Sequence, residues 1–207
     1  MAKKLAFDRV LFTTVALLIF FGLVMVYSAS AAITRERSPL VNPFLVKQAL
    51  AAVVGLALMV CLMHLDYRRL RSPAVIYTLL GVSLLLLVAV LFSPPLNNTR
   101  RWFFVAGLSL QPSELAKLAL VPFLAYQIDK KQGEVNRLSL LVPVGAATVL
   151  VACLILFEPD MGTAVLLAGT ALLMVFMAGL SWSWVAGALA LVPPVLWLLV
   201  MAAPYRR

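Results

Sequence analysis

Long apolar stretches alternate with short polar segments along the whole chain, and their length is that of membrane spans. The pattern predicts spans at Val10–Ala32, Phe44–Met63, Val75–Phe92, Ser113–Ile128, Leu138–Phe157, Met161–Gly179 and Trp184–Met201. Several stretches of about 18 to 22 residues carry no charge, enough for a helix to cross a hydrocarbon core of roughly 30 Å. The fourth span differs: its unbroken apolar run from Leu118 to Ala125 is short, and Glu114 and Lys117 stand at its entrance. Such a helix is either tilted or partly buried in protein. The expected fold is an all-α, polytopic transmembrane helix bundle of about seven helices. It forms a single domain over residues 1–207, without repeats or low-complexity linkers.

Composition points the same way. Hydrophobic residues make up 64% of the chain and charged residues 12%, with a mean hydropathy of +1.05. A soluble domain is roughly 45–50% apolar and about 25% charged, so no soluble core could hide this much apolar surface. The net charge of +9 sits mainly in short segments beside the spans. Such charge sets topology and meets anionic membrane lipids, and it gives no reason to invoke nucleic acid. Lys3, Lys4, Arg9, Arg68, Arg69, Arg71, Lys130, Lys131 and Arg137 fall on one side. Arg35, Arg37, Arg100, Arg101, Arg206 and Arg207 fall on the other, with Lys47 and Lys117 near that end of their spans. The excess favours a cytoplasmic amino terminus, and an odd number of spans then puts Tyr205–Arg207 outside. The first span is too long for a signal-peptide core and reads as a retained helix. Cys61 and Cys153 lie in apolar spans and read as small hydrophobes, with neither a disulfide framework nor a metal pattern.

Three polar segments on the expected outer side could carry chemistry. The first, Asn97-Asn98-Thr99-Arg100-Arg101-Trp102-Phe103, lies in the longest loop, from about Ser93 to Pro112. Paired guanidiniums beside an indole suit a phosphate-bearing amphipathic ligand, and they equally suit interfacial anchoring. In the second, Gln111-Pro112-Ser113-Glu114-Leu115-Ala116-Lys117, Pro112 suits the first helical position and Glu114 complements the positive helix end. Lys117, three residues on, shares a face with Glu114 and can pair with it. The third, Glu158-Pro159-Asp160-Met161-Gly162-Thr163, joins two uncharged spans with two acids and no base. Asp160 can cap the sixth helix. The two carboxylates could instead pair with Arg100, Arg101 or Lys117, or bind a divalent cation through oxygen ligands. Lys47 could join the same network or snorkel to the interface. On the inner side Asp66-Tyr67-Arg68-Arg69-Leu70-Arg71 reads as a topology-setting loop. His64, the sole histidine, has no partner motif for a metal or a triad, and Pro193-Pro194 is expected to bend the seventh span.

Taken in order, Met25-Val26-Tyr27-Ser28-Ala29-Ser30, Asp66-Tyr67-Arg68, Arg100-Arg101-Trp102, the Gln111–Lys117 segment and the Glu158–Thr163 segment resemble the signature series of the SEDS family (FtsW, RodA and SpoVE). The series covers nearly the whole chain and about the first half of the family pattern. The first-helix Val-Tyr-Ser-Ala-Ser is more similar to the division and sporulation branches than to the elongation branch.

The resemblance implies a peptidoglycan glycosyltransferase of the bacterial cytoplasmic membrane that polymerises lipid II, the undecaprenyl-pyrophosphate-linked precursor, into glycan strands. It also implies a class B penicillin-binding protein transpeptidase as partner and no obligatory cofactor. The family's expected catalytic aspartate would lie in the outer loop after the seventh helix, beyond Arg207, so this chain is expected to be the amino-terminal part of a longer SEDS-type domain. Trp102 resembles the family's outer-loop tryptophan, and Glu114, Lys117 and Asp160 match polar positions facing its central cavity. Lys47, Arg100, Arg101 and Glu158 complete the expected substrate-binding or cavity set. Two other functions fit the same residues: a lipid II flippase, or an inactive membrane scaffold that recruits a transpeptidase.

Overall fold

The computed structural model describes residues 8–37, 43–64, 68, 71–95, 99–105, 108–131 and 133–201. Among them are α1 (Arg9–Arg37), α2 (Pro43–Met63), α3 (Pro73–Val90), β1 (Phe103–Val105), β2 (Leu108–Leu110), α4 (Pro112–Lys130), α5 (Leu138–Phe157), α6 (Met161–Met177) and α7 (Trp182–Met201). The seven helices fall on the seven expected spans, with ends shifted by a few residues. Among the described residues, four segments are long and apolar enough to cross a membrane: Arg9–Ser30, Pro43–Met63, Pro73–Val90 and Leu138–Phe157. The protein is a multi-pass membrane protein.

The chain divides into two compact units, Met1–Asp66 and Tyr67–Arg207. In the first, α1 packs on α2. The Asp8 carboxylate accepts a hydrogen bond from the Leu11 N–H at 3.0 Å and so caps α1. The hydroxyls of Thr13, Thr14 and Ser30 donate to carbonyls four residues back, at 2.7, 2.9 and 2.6 Å. In an apolar solvent each of these three hydroxyls is thereby satisfied.

The second unit is organised around α4, which packs on α3, α5 and α6, while α5 also packs on α6. Its buried residues, Ser113, Ala116, Ala119, Leu120, Phe123, Leu124 and Gln127 among them, recur at the three- and four-residue spacing of one broad helix face. Small residues at Ala116 and Ala119 on α4, Ala164 and Ala171 on α6 and Ser83 on α3 let the backbones approach. The least apolar helix is thus the one enclosed by protein. The partial protein burial that the sequence allowed for it is found. The outer surface of this unit carries side chains such as Leu85, Leu118 and Leu173, all more than half exposed. A polar residue in membrane is costly where it faces hydrocarbon, not where neighbouring helices enclose it.

At the end of this unit formed by the start of α3 and the end of α4, Arg71 pairs with Asp129 at 2.8 Å. The α6 helix stops in a Schellman turn: Gly179, at φ 106°, lets the Leu180 N–H reach the Val175 carbonyl at 3.2 Å. Asn136, in the segment before α5, donates to the Gly179 carbonyl and accepts from the Ser181 N–H, tying the two connections together. At the opposite end, the segment expected only as a loop contains a short antiparallel hairpin, with Phe103 opposite Leu110 and Phe104 opposite Ser109. Of the inner loop, Asp66, Tyr67, Arg69 and Leu70 lie outside the described residues, as do Lys3, Lys4, Asn97, Asn98 and Tyr205–Arg207. The α7 helix continues through Pro193 and Pro194.

Candidate functional site

The end of the second unit where α3 finishes, α4 begins and α5 turns into α6 gathers most of the polar side chains singled out above. Local chemistry builds the turn first. The α5 helix ends at Phe157 and leaves its last carbonyls without intrahelical partners, while α6 begins with free N–H groups. Asp160 is the N-cap of α6: one carboxylate oxygen accepts from the Thr163 N–H at 3.2 Å and the other from the Thr163 hydroxyl at 2.8 Å. The capping role expected for Asp160 is the one found. At the other side of the turn, Arg101 Nε donates to the Glu158 carbonyl at 2.7 Å, and its Nη2 donates to the Pro159 carbonyl. A cation at the negative end of α5 and an anion at the positive end of α6 satisfy both helix dipoles within three residues.

A third element locks this turn to α4. Gln111, the N-cap residue of α4, makes no side-chain cap to its own helix. Its Nε2 instead donates to Asp160 at 3.1 Å, across 49 residues of sequence. Pro112 follows at the first helical position, as expected. Two turns into α4, Lys117 Nζ and Glu114 form the expected pair at 2.8 Å, with Lys117 the more buried at 29% exposure against 58%. Lys117 also lines a small cavity between α4 and α6 whose other walls are mostly apolar, including Leu120, Leu124 and Leu167.

The acids do not pair as the sequence suggested they could. Neither carboxylate meets Arg100, Arg101 or Lys117 through a hydrogen bond. Arg101 spends two donors on backbone carbonyls, Lys117 goes to Glu114, and Arg100 Nη1 donates to the Leu91 carbonyl at the end of α3, at 2.7 Å. The reason is geometric: a guanidinium fork spans two successive carbonyls that the helix end leaves open. The two adjacent arginines therefore serve different helix ends and do not form one joint cradle. Glu158 is fully buried, and neither of its carboxyl oxygens has a hydrogen-bond partner. Burial, reinforced by the Asp160 carboxylate and opposed by Arg101, pushes its pKa up to about 8.

Trp102 is half-buried beside Arg101, and Lys47 is exposed on α2 in the other unit. His64 is exposed at the end of α2. Among the described residues no cluster of three or more His, Cys, Asp or Glu is present. Two residues escaped the sequence reading of the site. Gln111 was uncharged and so drew no attention, although its place immediately before a helix-starting proline marks it as a cap position. Ser113 is fully buried with its hydroxyl lacking a partner, and no local pattern signals that.

The arrangement thus presents two cations, an indole and a capped acid at one end of a helix bundle. That suits an anionic headgroup at a membrane surface. A family profile described as cell cycle protein, FtsW/RodA/SpoVE, matches residues 8–207. The chain is 38% identical over 206 residues to a protein of Geobacter metallireducens named "Probable peptidoglycan glycosyltransferase FtsW", covering 97% of this chain and 54% of that protein. It is 33% identical over 186 residues to a Bacillus subtilis protein of the same name, covering 87% of this chain and 46% of that one. Among solved structures, a chain from "Structural coordination of polymerization and crosslinking by a peptidoglycan synthase complex" superimposes with a TM-score of 0.80 at 32% identity, over 98% of this chain and 57% of that one. The rod shape determining protein RodA of Thermus thermophilus superimposes with a TM-score of 0.72 at 33% identity, over 91% and 59%. The chain spans about half the length of the curated relatives it matches.

Proposed function

This chain belongs to the FtsW/RodA/SpoVE family of cell cycle proteins, and from that membership we propose that it forms part of a membrane glycosyltransferase that polymerises lipid II into peptidoglycan strands. The observation that carries the reading is the 38% identity, over nearly the whole chain, to a protein named as a peptidoglycan glycosyltransferase. The polar end of the second unit supplies its physical content. In the reaction a sugar hydroxyl attacks the anomeric carbon of a lipid-linked glycan, the bond to pyrophosphate breaks, and lipid pyrophosphate leaves. The leaving group gathers negative charge, and preorganised cations nearby stabilise it. Arg100, Arg101 and Lys117 are the proposed sources of that field.

Trp102 is proposed to seat the arginine segment at the headgroup level. Glu114 orients Lys117, and Asp160 with Gln111 holds the start of α6 against α4. The proposed setting is the bacterial cytoplasmic membrane, with the amino terminus inside and the Arg101 end facing out. A class B penicillin-binding protein is the proposed partner, supported by the likeness to a chain of a peptidoglycan synthase complex that couples polymerization to crosslinking. The FtsW name shared by the curated relatives supports a role in division.

The test is glycan-strand formation from lipid II by this chain and by a version extended through the downstream reading frame, with the cognate transpeptidase present. Strand synthesis by the extended form only is the expected result. An extended form that scrambles labelled lipid II across vesicles without making strands would replace this reading with a flippase. Capture of the transpeptidase without either activity would replace it with a scaffold.

A further inference from the structure

Glu158 stands apart from every other acid described above. It is fully buried, both carboxyl oxygens lack a hydrogen-bond partner, and the guanidinium beside it is bonded to its backbone instead. A buried carboxylate left without donors is among the costliest arrangements a protein can hold, and such a group neutralises before it is tolerated. The neighbouring Asp160 has the opposite surroundings, with three donors on its two oxygens. Two acids separated by one residue thus sit in opposite surroundings, one without a donor and one with three.

We infer that Glu158 is a positioning residue that carries its proton in the folded protein, and that losing the proton releases the Arg101 clamp on the α5–α6 turn. The charged groups that act on Glu158 are Asp160, at the start of α6, and Arg101, ahead of β1. The α3 and α5 helices carry no charge at all, and the charges nearest the start of α4, Glu114 and Lys117, are paired to each other. An ionised Glu158 would therefore have one cation within reach, and in the proposed switch that carboxylate draws the Arg101 guanidinium off the Glu158 and Pro159 carbonyls. Those carbonyls would then be open, and the turn that presents Asp160 to Gln111 would lose its second anchor. The proton count at this end of the bundle would set the order of the Arg101–Asp160–Gln111 network. None of this depends on which reaction the protein catalyses.

The test is infrared spectroscopy of the full chain in lipid nanodiscs, with carboxyl-labelled glutamate, titrated across pH. Thermal unfolding is followed over the same series in the wild type, Glu158→Gln and Glu158→Met. The expected result is a protonated glutamic acid carbonyl band at pH 6 that is lost with a midpoint near pH 8 and is absent from both variants. The variants' unfolding temperature should also lose the pH dependence seen in the wild type over that range. The inference is overturned if the wild type shows no such band at pH 6. It is also overturned if the band survives in a folded variant, or if a folded variant keeps the wild-type pH dependence. Should neither variant fold, the wild-type band decides alone.

Discussion

Arg101 lies against Glu158 and bonds its backbone carbonyl at 2.7 Å, leaving the carboxyl group of the same residue buried and unpartnered. The arginine therefore acts on the end of α5 as a cap, and its worth can be read by removing it. Hydrogen bonds from a charged donor contribute about 1.5–3 kcal/mol, so Arg101→Ala is expected to lower stability by about that much. Arg101→Lys should recover only part of it, since an ammonium cannot span two carbonyls as a fork does. Arg100→Ala, at an exposed side chain with one such bond, should cost less. Thermal unfolding of the three variants in one detergent separates them.

Asp160 ties three groups together, and its loss should be felt in two elements. Replacing an N-cap residue by alanine costs about 0.5–2 kcal/mol, and the Gln111 amide would lose its partner as well. Asp160→Ala is expected near the top of that range, Asp160→Asn well below it, and Gln111→Ala between them. Amide exchange at the start of α6 should quicken in Asp160→Ala and, to a smaller extent, in Gln111→Ala.

The pH dependence of stability follows from Glu158. Its folded-state pKa, about 8, lies above the ordinary 4.5. Between those values the folded protein holds a proton that the unfolded chain does not, so stability falls as pH rises through that window and levels off above it. The slope is at most about 1.4 kcal/mol per pH unit. Unfolding of the wild type at pH 5, 6, 7 and 8 should show this decline, and Glu158→Gln should flatten it.

Burial predicts opposite outcomes for two neighbours on α4. Ala116 is fully buried and Leu118 is 67% exposed. Ala116→Leu should force α4 away from its neighbours at a cost of about 1–3 kcal/mol. Leu118→Ala, on an exposed side chain, should be nearly neutral. Yield of folded protein and unfolding temperature distinguish the two.

Activity of an extended form bears on the remaining site residues. Lys117→Ala should reduce strand synthesis or folding more than Lys130→Ala, because Lys117 lines the α4–α6 cavity while Lys130 is exposed at the far end of the same helix. Trp102→Ala should lower polymerisation and leave membrane insertion intact. Equal effects of the two lysine changes, or unchanged turnover without Trp102, would return these residues to topology and anchoring.

Sequence alone determined what depends on neighbours a few residues apart and on the bilayer as solvent. The seven helices follow from the apolar runs, four of which are of membrane length among the described residues, Pro112 at the start of α4 and Asp160 capping α6 from helix-end chemistry, and the Glu114–Lys117 pair from a three-residue spacing on one face. Tertiary structure decided everything that depends on which helix ends meet. The α4 helix buries Ser113 and Gln127 because α3, α5 and α6 enclose that face. Gln111 found Asp160 across 49 residues, and Arg101 took the carbonyls that α5 left open instead of the acids that charge counting offered it. Glu158, read from the sequence as one of two acids in a polar turn, became a buried carboxyl without a donor. Charge is a property of the residue, but the partner it meets, and so its protonation, belongs to the packing.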